Sequence, residues 1–248
     1  MTNLQLVQEH NVTDEVLNRV FALQSSGALD LPANYSAANA LKSAYLILRE
    51  AKTKDKKPVL DACTKESISS SLLDMVVQGL NPAKNQCYFI PYGTQLQLIR
   101  GYLGTVALTK RLPGVEDVKG YAIYKQDNLQ LGFDFTTGKK TVKVYEPSVE
   151  HKSSDLVGAI GLIIGSGSIL HVEYMDMEQI KAAWAMRKGE GLTGAHKQFP
   201  DQMAIKTVIN RACKLYANTA DDSGLIAAIV SSCIITPLKC FSIPGEAR

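Results

Sequence analysis

The chain has 248 residues, 46% of them hydrophobic and 21% charged, with a formal net charge of +3. That length and apolar content support a folded domain with a substantial core and exclude wholesale disorder. So mild a positive charge excludes a polyanion partner held by the global field alone; such a partner needs a local stripe of cations.

The N-terminal residues MTNLQLVQEH carry no basic and apolar leader pattern. The five cysteines include no CxxC pair, which reads as reduced thiols in a cytoplasmic protein. The longest apolar run, Leu156 to Leu170, is broken by glycines and serines, so no membrane span is expected.

Taken in chain order, Thr13-Asp14-Glu15 reads as a helix start, with Val16, Leu17, Val20, Phe21 and Leu23 at helical spacing and Ser25-Ser26-Gly27 as the stop. A second helix begins at Ser36, with Ala40, Leu41, Ala44, Tyr45 and Leu48 on one face. Ala51–Pro58 is a charged, solvated loop. Thr64 caps a third helix, with Ile68, Leu72, Met75 and Val76 inward and its end at Gly79.

The period then changes. CYFIPY and QLQLI read as two strands around Gly93-Thr94, followed by a short helix to Lys110-Arg111 that Pro113-Gly114 ends. GYAIYKQ, KKTVKVYE and DLVGAIGLIIGSGSILHVEYM supply further strands. Asp176, with Gln179 three residues on, starts a helix running to Gly189. After a Gly-rich loop the last strong helix covers Asp201–Ala217. Helices, a meander, then helices predict an α+β fold.

Two segments carry candidate binding chemistry. In QLQLI, Leu96 and Leu98 share the inward face, and Gln95 and Gln97 point outward as neutral donors and acceptors suited to phosphates, sugars or base edges. A solvated hairpin edge is the competing reading. In the last helix, Lys206, Thr207, Asn210, Arg211 and Lys214 fall within an arc of about 140°, opposite Ile205, Val208, Ile209, Ala212, Leu215 and Tyr216. That arc bears three cations and no acid, which points to a polyanion. Trp184, the single tryptophan, lies near Lys181 and Lys188 and is either a core residue or a platform for a nucleobase.

Enzyme signatures are poor. GLIIGSGS has the look of a dinucleotide loop but is followed by strand-like ILHVEY, so a Gly-rich hairpin turn is the better reading. His171 and Glu173 have the HxE spacing of zinc deaminases without a following PCxxC. His10, His151 and His196 sit in polar contexts, and no nucleophile elbow is recognisable.

The stretch LNPAKNQCYFIPYGTQLQLIRGYLGTVALTKR, through Pro91-Tyr92, Gln97-Leu98, Gly101-Tyr102, Gly104, Leu108 and Arg111, resembles the core motif of the RecT family of phage single-strand annealing proteins. Asp201, Met203, Ala204, Lys206, Thr207, Val208 and Arg211 resemble its second, helical motif. The resemblance spans about residues 35–222, with departures at Leu103, Ile205 and Asn210, where the family commonly has a basic residue.

The resemblance implies a twisted sheet with a hairpin packed against a long helix, flanked by N-terminal helices, as in the eukaryotic annealing proteins. It implies ATP-independent binding and annealing of single-stranded DNA in phage-type recombination, by an oligomeric ring or filament that retains the duplex product. A strand-coating protein without pairing activity is the alternative. The implied DNA-binding set is Tyr92, Gln95, Gln97, Arg100, Tyr102, Lys110, Arg111, Lys206, Asn210, Arg211 and Lys214, with Trp184 as a stacking candidate. No catalytic residue, cofactor or metal is expected; the implied partners are a phage 5′–3′ exonuclease and the host single-strand-binding protein. Residues 1–33 form an N-terminal helical segment with candidate oligomer contacts, 34–222 the annealing core, and 223–248 a tail atypical for the family.

Overall fold

The computed structural model describes residues 3–150, 152, 155–186 and 194–217, with side chains from residue 12 onward, those of residues 215 and 217 excepted. The proposed tail, 223–248, and His151 lie outside the described residues, as does the side chain of His10.

Four helices come first: α1 (Asn3–Ser25), α2 (Ala37–Glu50), the short α3 (Val59–Ala62) and α4 (Lys65–Val77). α1 begins well before the expected start at Thr13, because nothing in residues 3–12 breaks a helix. Its Val16 and Val20 are buried against the next helices, so the N-terminal segment packs onto the core. Both expected caps form: the Ser36 hydroxyl accepts from the Asn39 N–H, and the Thr64 hydroxyl from the Ser67 N–H. Gly79, at φ +60°, turns the chain out of α4.

A 3₁₀ turn (Pro82–Lys84) leads into the antiparallel hairpin β1 (Cys87–Tyr92) and β2 (Gln95–Arg100), turning at Gly93-Thr94 as the alternation predicts. Leu96 and Leu98 are buried against α4. The backbone of the turn is tied to the same helix. Leu96 N–H donates to Ser67 Oγ (3.1 Å), Ser71 Oγ donates to Leu96 O (2.8 Å), and Thr64 N–H donates to Thr94 O (2.9 Å).

α5 (Tyr102–Thr109) follows, then β3 (Val115–Tyr124), β4 (Asn128–Asp134), β5 (Lys139–Glu146), β6 (Leu156–Gly165), β7 (Ser168–Asp176), α6 (Met177–Ala185), α7 (Gly194–Gln198) and α8 (Pro200–Ala217). β3, β6 and β7 form an antiparallel sheet with β6 in the centre, and β4 pairs only with β5. GLIIGSGS is the end of β6 and the turn into β7, with Gly167 at φ +71°. The fold is α+β, as expected.

The two faces of the three-stranded sheet are covered differently. On one, Ile123, Ile160 and Val172 meet Leu129, Val142 and Tyr145 of the β4–β5 hairpin. On the other lies α8, through Ala204, Val208 and Ile209. Gly120 and Gly161 are cross-strand partners directly beneath it. A Cβ at Gly120 would stand 2.8 Å from Ile209 Cδ1, and one at Gly161 would stand 3.3 Å from the Val208 carbonyl oxygen. The paired absence of side chains is what lets α8 settle onto the strands.

Candidate nucleic-acid interface

α8 divides as its sequence predicts. Ala204, Val208, Ile209, Ala212 and Cys213 are buried, while Arg211 and Lys214 are exposed and Lys206, Thr207 and Asn210 are half-buried. Each flank of the outward arc is fixed by a neighbouring element.

On the α5 flank, Lys206 Nζ lies 5.4 Å from the centroid of the Tyr102 ring, a cation–π contact. Tyr102 and Lys206 come from the two separate motifs, and the fold brings them together. Gly101 and Gly104 set the place of Tyr102. The Gly101 N–H donates to the Gln86 carbonyl (2.9 Å), and a Cβ at Gly104 would collide with that same oxygen. α5 therefore starts hard against the chain entering β1.

On the β7 flank, Arg211 Nε is 3.1 Å from Glu173 Oε1; the arginine side chain is 48% exposed and the glutamate 5%. His171, two residues back on β7, has Nε2 3.8 Å from Glu173 Oε2, beyond hydrogen-bonding distance, and that nitrogen is sealed from solvent without a hydrogen-bond partner. Burial holds the imidazole pKa below its usual range; nearby Glu173 opposes this, and Lys140 and Lys139 add to it. The HxE spacing thus serves an arginine pair. Among the described residues no group of three metal-ligating side chains occurs.

Trp184 donates its indole N–H to Thr207 Oγ1 (2.8 Å) and meets His196 edge-on, with ring centroids 4.7 Å apart. His196 is buried, against its polar sequence context. The half-buried indole braces α6 and α7 against α8.

The cations of the first motif are engaged by the protein itself. Arg100 Nη1 reaches Gln78 Oε1 and its Nε reaches Thr105 Oγ1, both at 3.3 Å. Arg111 donates from Nη1 to the Gln78 carbonyl (2.8 Å) and from Nη2 to the Gly79 carbonyl (2.7 Å), capping the C-terminal end of α4. Lys110 and Lys119 converge on Asp117, at 3.0 and 2.9 Å. Those hydrogen bonds, that from Lys119 foremost, hold the Asp117 carboxyl well below the ordinary carboxylate range.

Tyr92 and Gln95 are exposed and Gln97 is half-buried, as the alternation requires, but their hairpin rides on α4. The elements that pack most closely on α8 are β3, β6, β7 and α5. Asp117 and Lys119 escaped the sequence reading, as did the pairing of Glu173 with Arg211. The only available hint was the acid at an inward position of ILHVEY, which demanded a buried cationic partner.

Cys63, Cys87 and Cys213 are free and buried, and burial pushes the Cys87 thiol up to about 12. No described helix is long and apolar enough to cross a membrane.

The family model described as the RecT family matches residues 38–230 and spans both motifs. No curated protein matches the chain. By the extent of that match, with Tyr102 of the first motif seated under Lys206 of the second, the chain belongs to the RecT family of single-strand annealing proteins.

Proposed function

We propose that the chain binds single-stranded DNA along the outward arc of α8 and anneals complementary strands without ATP, as an oligomer. The carrying observation is the arc itself: Lys206, Arg211 and Lys214 on a helix whose opposite side is core. Cations gripping the sugar–phosphate chain leave base edges open to a complement. Each phosphate contact adds about 0.7 to the salt slope for a single strand. So few cations per subunit favour many copies along one strand.

In this reading Tyr102, Lys206, Asn210, Arg211 and Lys214 line the groove, and Tyr92, Gln95, Gln97 and Lys110 extend it. Arg100, Arg111 and Trp184 support its walls. Residues 34–222 form the annealing unit, and the exposed side of α1, where Phe21 stands 54% accessible, is offered to neighbouring subunits. A 5′–3′ exonuclease and the host single-strand-binding protein are the proposed partners, in the cytoplasm of a bacterial host.

The test mixes dye-labelled complementary oligonucleotides with protein. Accelerated pairing without nucleotide, lost in Lys206→Ala/Lys214→Ala at an unchanged melting temperature, supports the reading. Normal annealing by that double variant removes the α8 arc from the mechanism. Binding without faster pairing makes the protein a coat.

A further inference from the structure

The β4–β5 hairpin covers the sheet with Leu129, Val142 and Tyr145, yet its tip carries residues that a simple cover does not need. Phe135 in the turn is 90% exposed and Phe133 is 51% exposed, with ring centroids 5.1 Å apart in an edge-to-face pair. Phe133 lies directly across the ladder from Lys140, and Asp134 from Lys139. A cleft of about 220 Å³ opens between this tip and β7, the edge strand of the sheet, lined by Phe133, Lys139, Lys140, His171 and Glu173.

The acids near this cleft are already engaged. Asp134 accepts from the Thr136 N–H (2.9 Å) and the Thr137 hydroxyl (2.7 Å), which shapes the turn. Glu173 is paired with Arg211, so its charge is met from within the protein. Asp134 keeps its charge, so two lysines against its one carboxylate leave the tip with a small excess of positive charge, beside two accessible aromatic rings. Cations interleaved with exposed aromatics match the needs of a single strand: phosphates for the one, base faces for the other. The Glu173–Arg211 pair joins the cleft directly to the cationic arc of α8.

We propose that the tip of the β4–β5 hairpin and the edge of β7 form a second station for single-stranded nucleic acid, with Lys139 and Lys140 holding phosphates and Phe133 and Phe135 taking base or sugar faces. The station continues the α8 track across β7 and rests on the function proposed above. Its rings are too exposed to serve the core, and its lysines stand on the rim of a recess.

The experiment measures binding of fluorescein-labelled oligo-dT by the full chain over a range of salt. Lys139→Ala/Lys140→Ala lowers affinity roughly three- to thirtyfold, the size of two exposed ion pairs, and reduces the salt slope by about 1.4. Phe135→Ala weakens binding roughly five- to hundredfold with the slope kept, as loss of base stacking requires. Lys54→Ala/Lys57→Ala, which removes the same charge from the solvated loop before α3, leaves both unchanged. Wild-type binding by the hairpin lysine variant, while Lys206→Ala/Lys214→Ala is impaired, overturns the station and leaves the proposed function standing. An equal loss in the loop control also overturns it, since net charge is then the cause. If Phe135→Ala changes the sedimentation of DNA-free protein but not binding, the tip belongs to subunit assembly and the station falls. Failure of the wild type to bind at all sinks the function and the station together.

Discussion

Arg211 Nε lies 3.1 Å from Glu173 Oε1, a pair that joins the exposed arc of α8 to the interior of the sheet. It makes Arg211 different from its neighbours in the stripe. Arg211→Ala strands a buried carboxylate, which costs up to about 3–5 kcal/mol in a fully buried pair; with Arg211 half-exposed, about 1–3 kcal/mol is expected here. Urea denaturation checks this. Adding Glu173→Gln recovers most of the stability but not the DNA affinity, so the double variant separates the arginine's two roles.

Asp117 occupies two lysines that could otherwise face phosphate. Asp117→Asn is expected to raise affinity for single-stranded DNA and steepen its salt dependence by up to about 1.4, the value of two added contacts. A salt titration of oligonucleotide binding reads this directly. An unchanged slope places Lys110 and Lys119 away from the strand.

Gly104→Ala forces a methyl group into the Gln86 carbonyl, which already accepts the Gly101 N–H. Backbone cannot yield as a flexible side chain can. A loss of about 2–4 kcal/mol is expected, lowering the melting temperature by roughly 4–16 °C for a chain of this size. Gly93→Ala meets no atom within 4 Å but stands at φ +60°, and costs only about 1–2 kcal/mol.

His171 supplies a pH dependence with a definite sign. Its folded pKa is depressed by burial, whereas the unfolded chain titrates near about 6.5. Between those two values the unfolded chain holds more protons, so stability falls as pH drops below about 6.5. The groups facing the imidazole are Glu173 on its own strand, Lys139 and Lys140 of β5, and Tyr216 of α8. His171→Gln is expected to flatten the fall in urea midpoint between pH 7 and pH 5.

Local signals were read well and distant pairings were not. The Ser36, Thr64 and Asp176 caps, the β1–β2 alternation and the two-sided α8 depend on neighbours within a few residues, and all appear as expected. β4 escaped although Leu129, Leu131 and Phe133 of NLQLGFD alternate, because Gly132, a poor strand former, stands on the other face, where a side chain would strike Lys143 and Thr141. In the candidate interface, charge and face were legible in Lys206 and Arg211. That Arg111 would cap α4 was not, since its partners are the carbonyls of Gln78 and Gly79, which any residue possesses.

The glycine pair under α8 makes the helix height a shared dimension of the molecule. Enlarging Gly120 pushes on Ile205 and Ile209 from below and lifts the rod like a plank on a pebble. Lys206 would then drift from Tyr102 while Arg211 parts from Glu173, so both edges of the track detune through one substitution that touches neither.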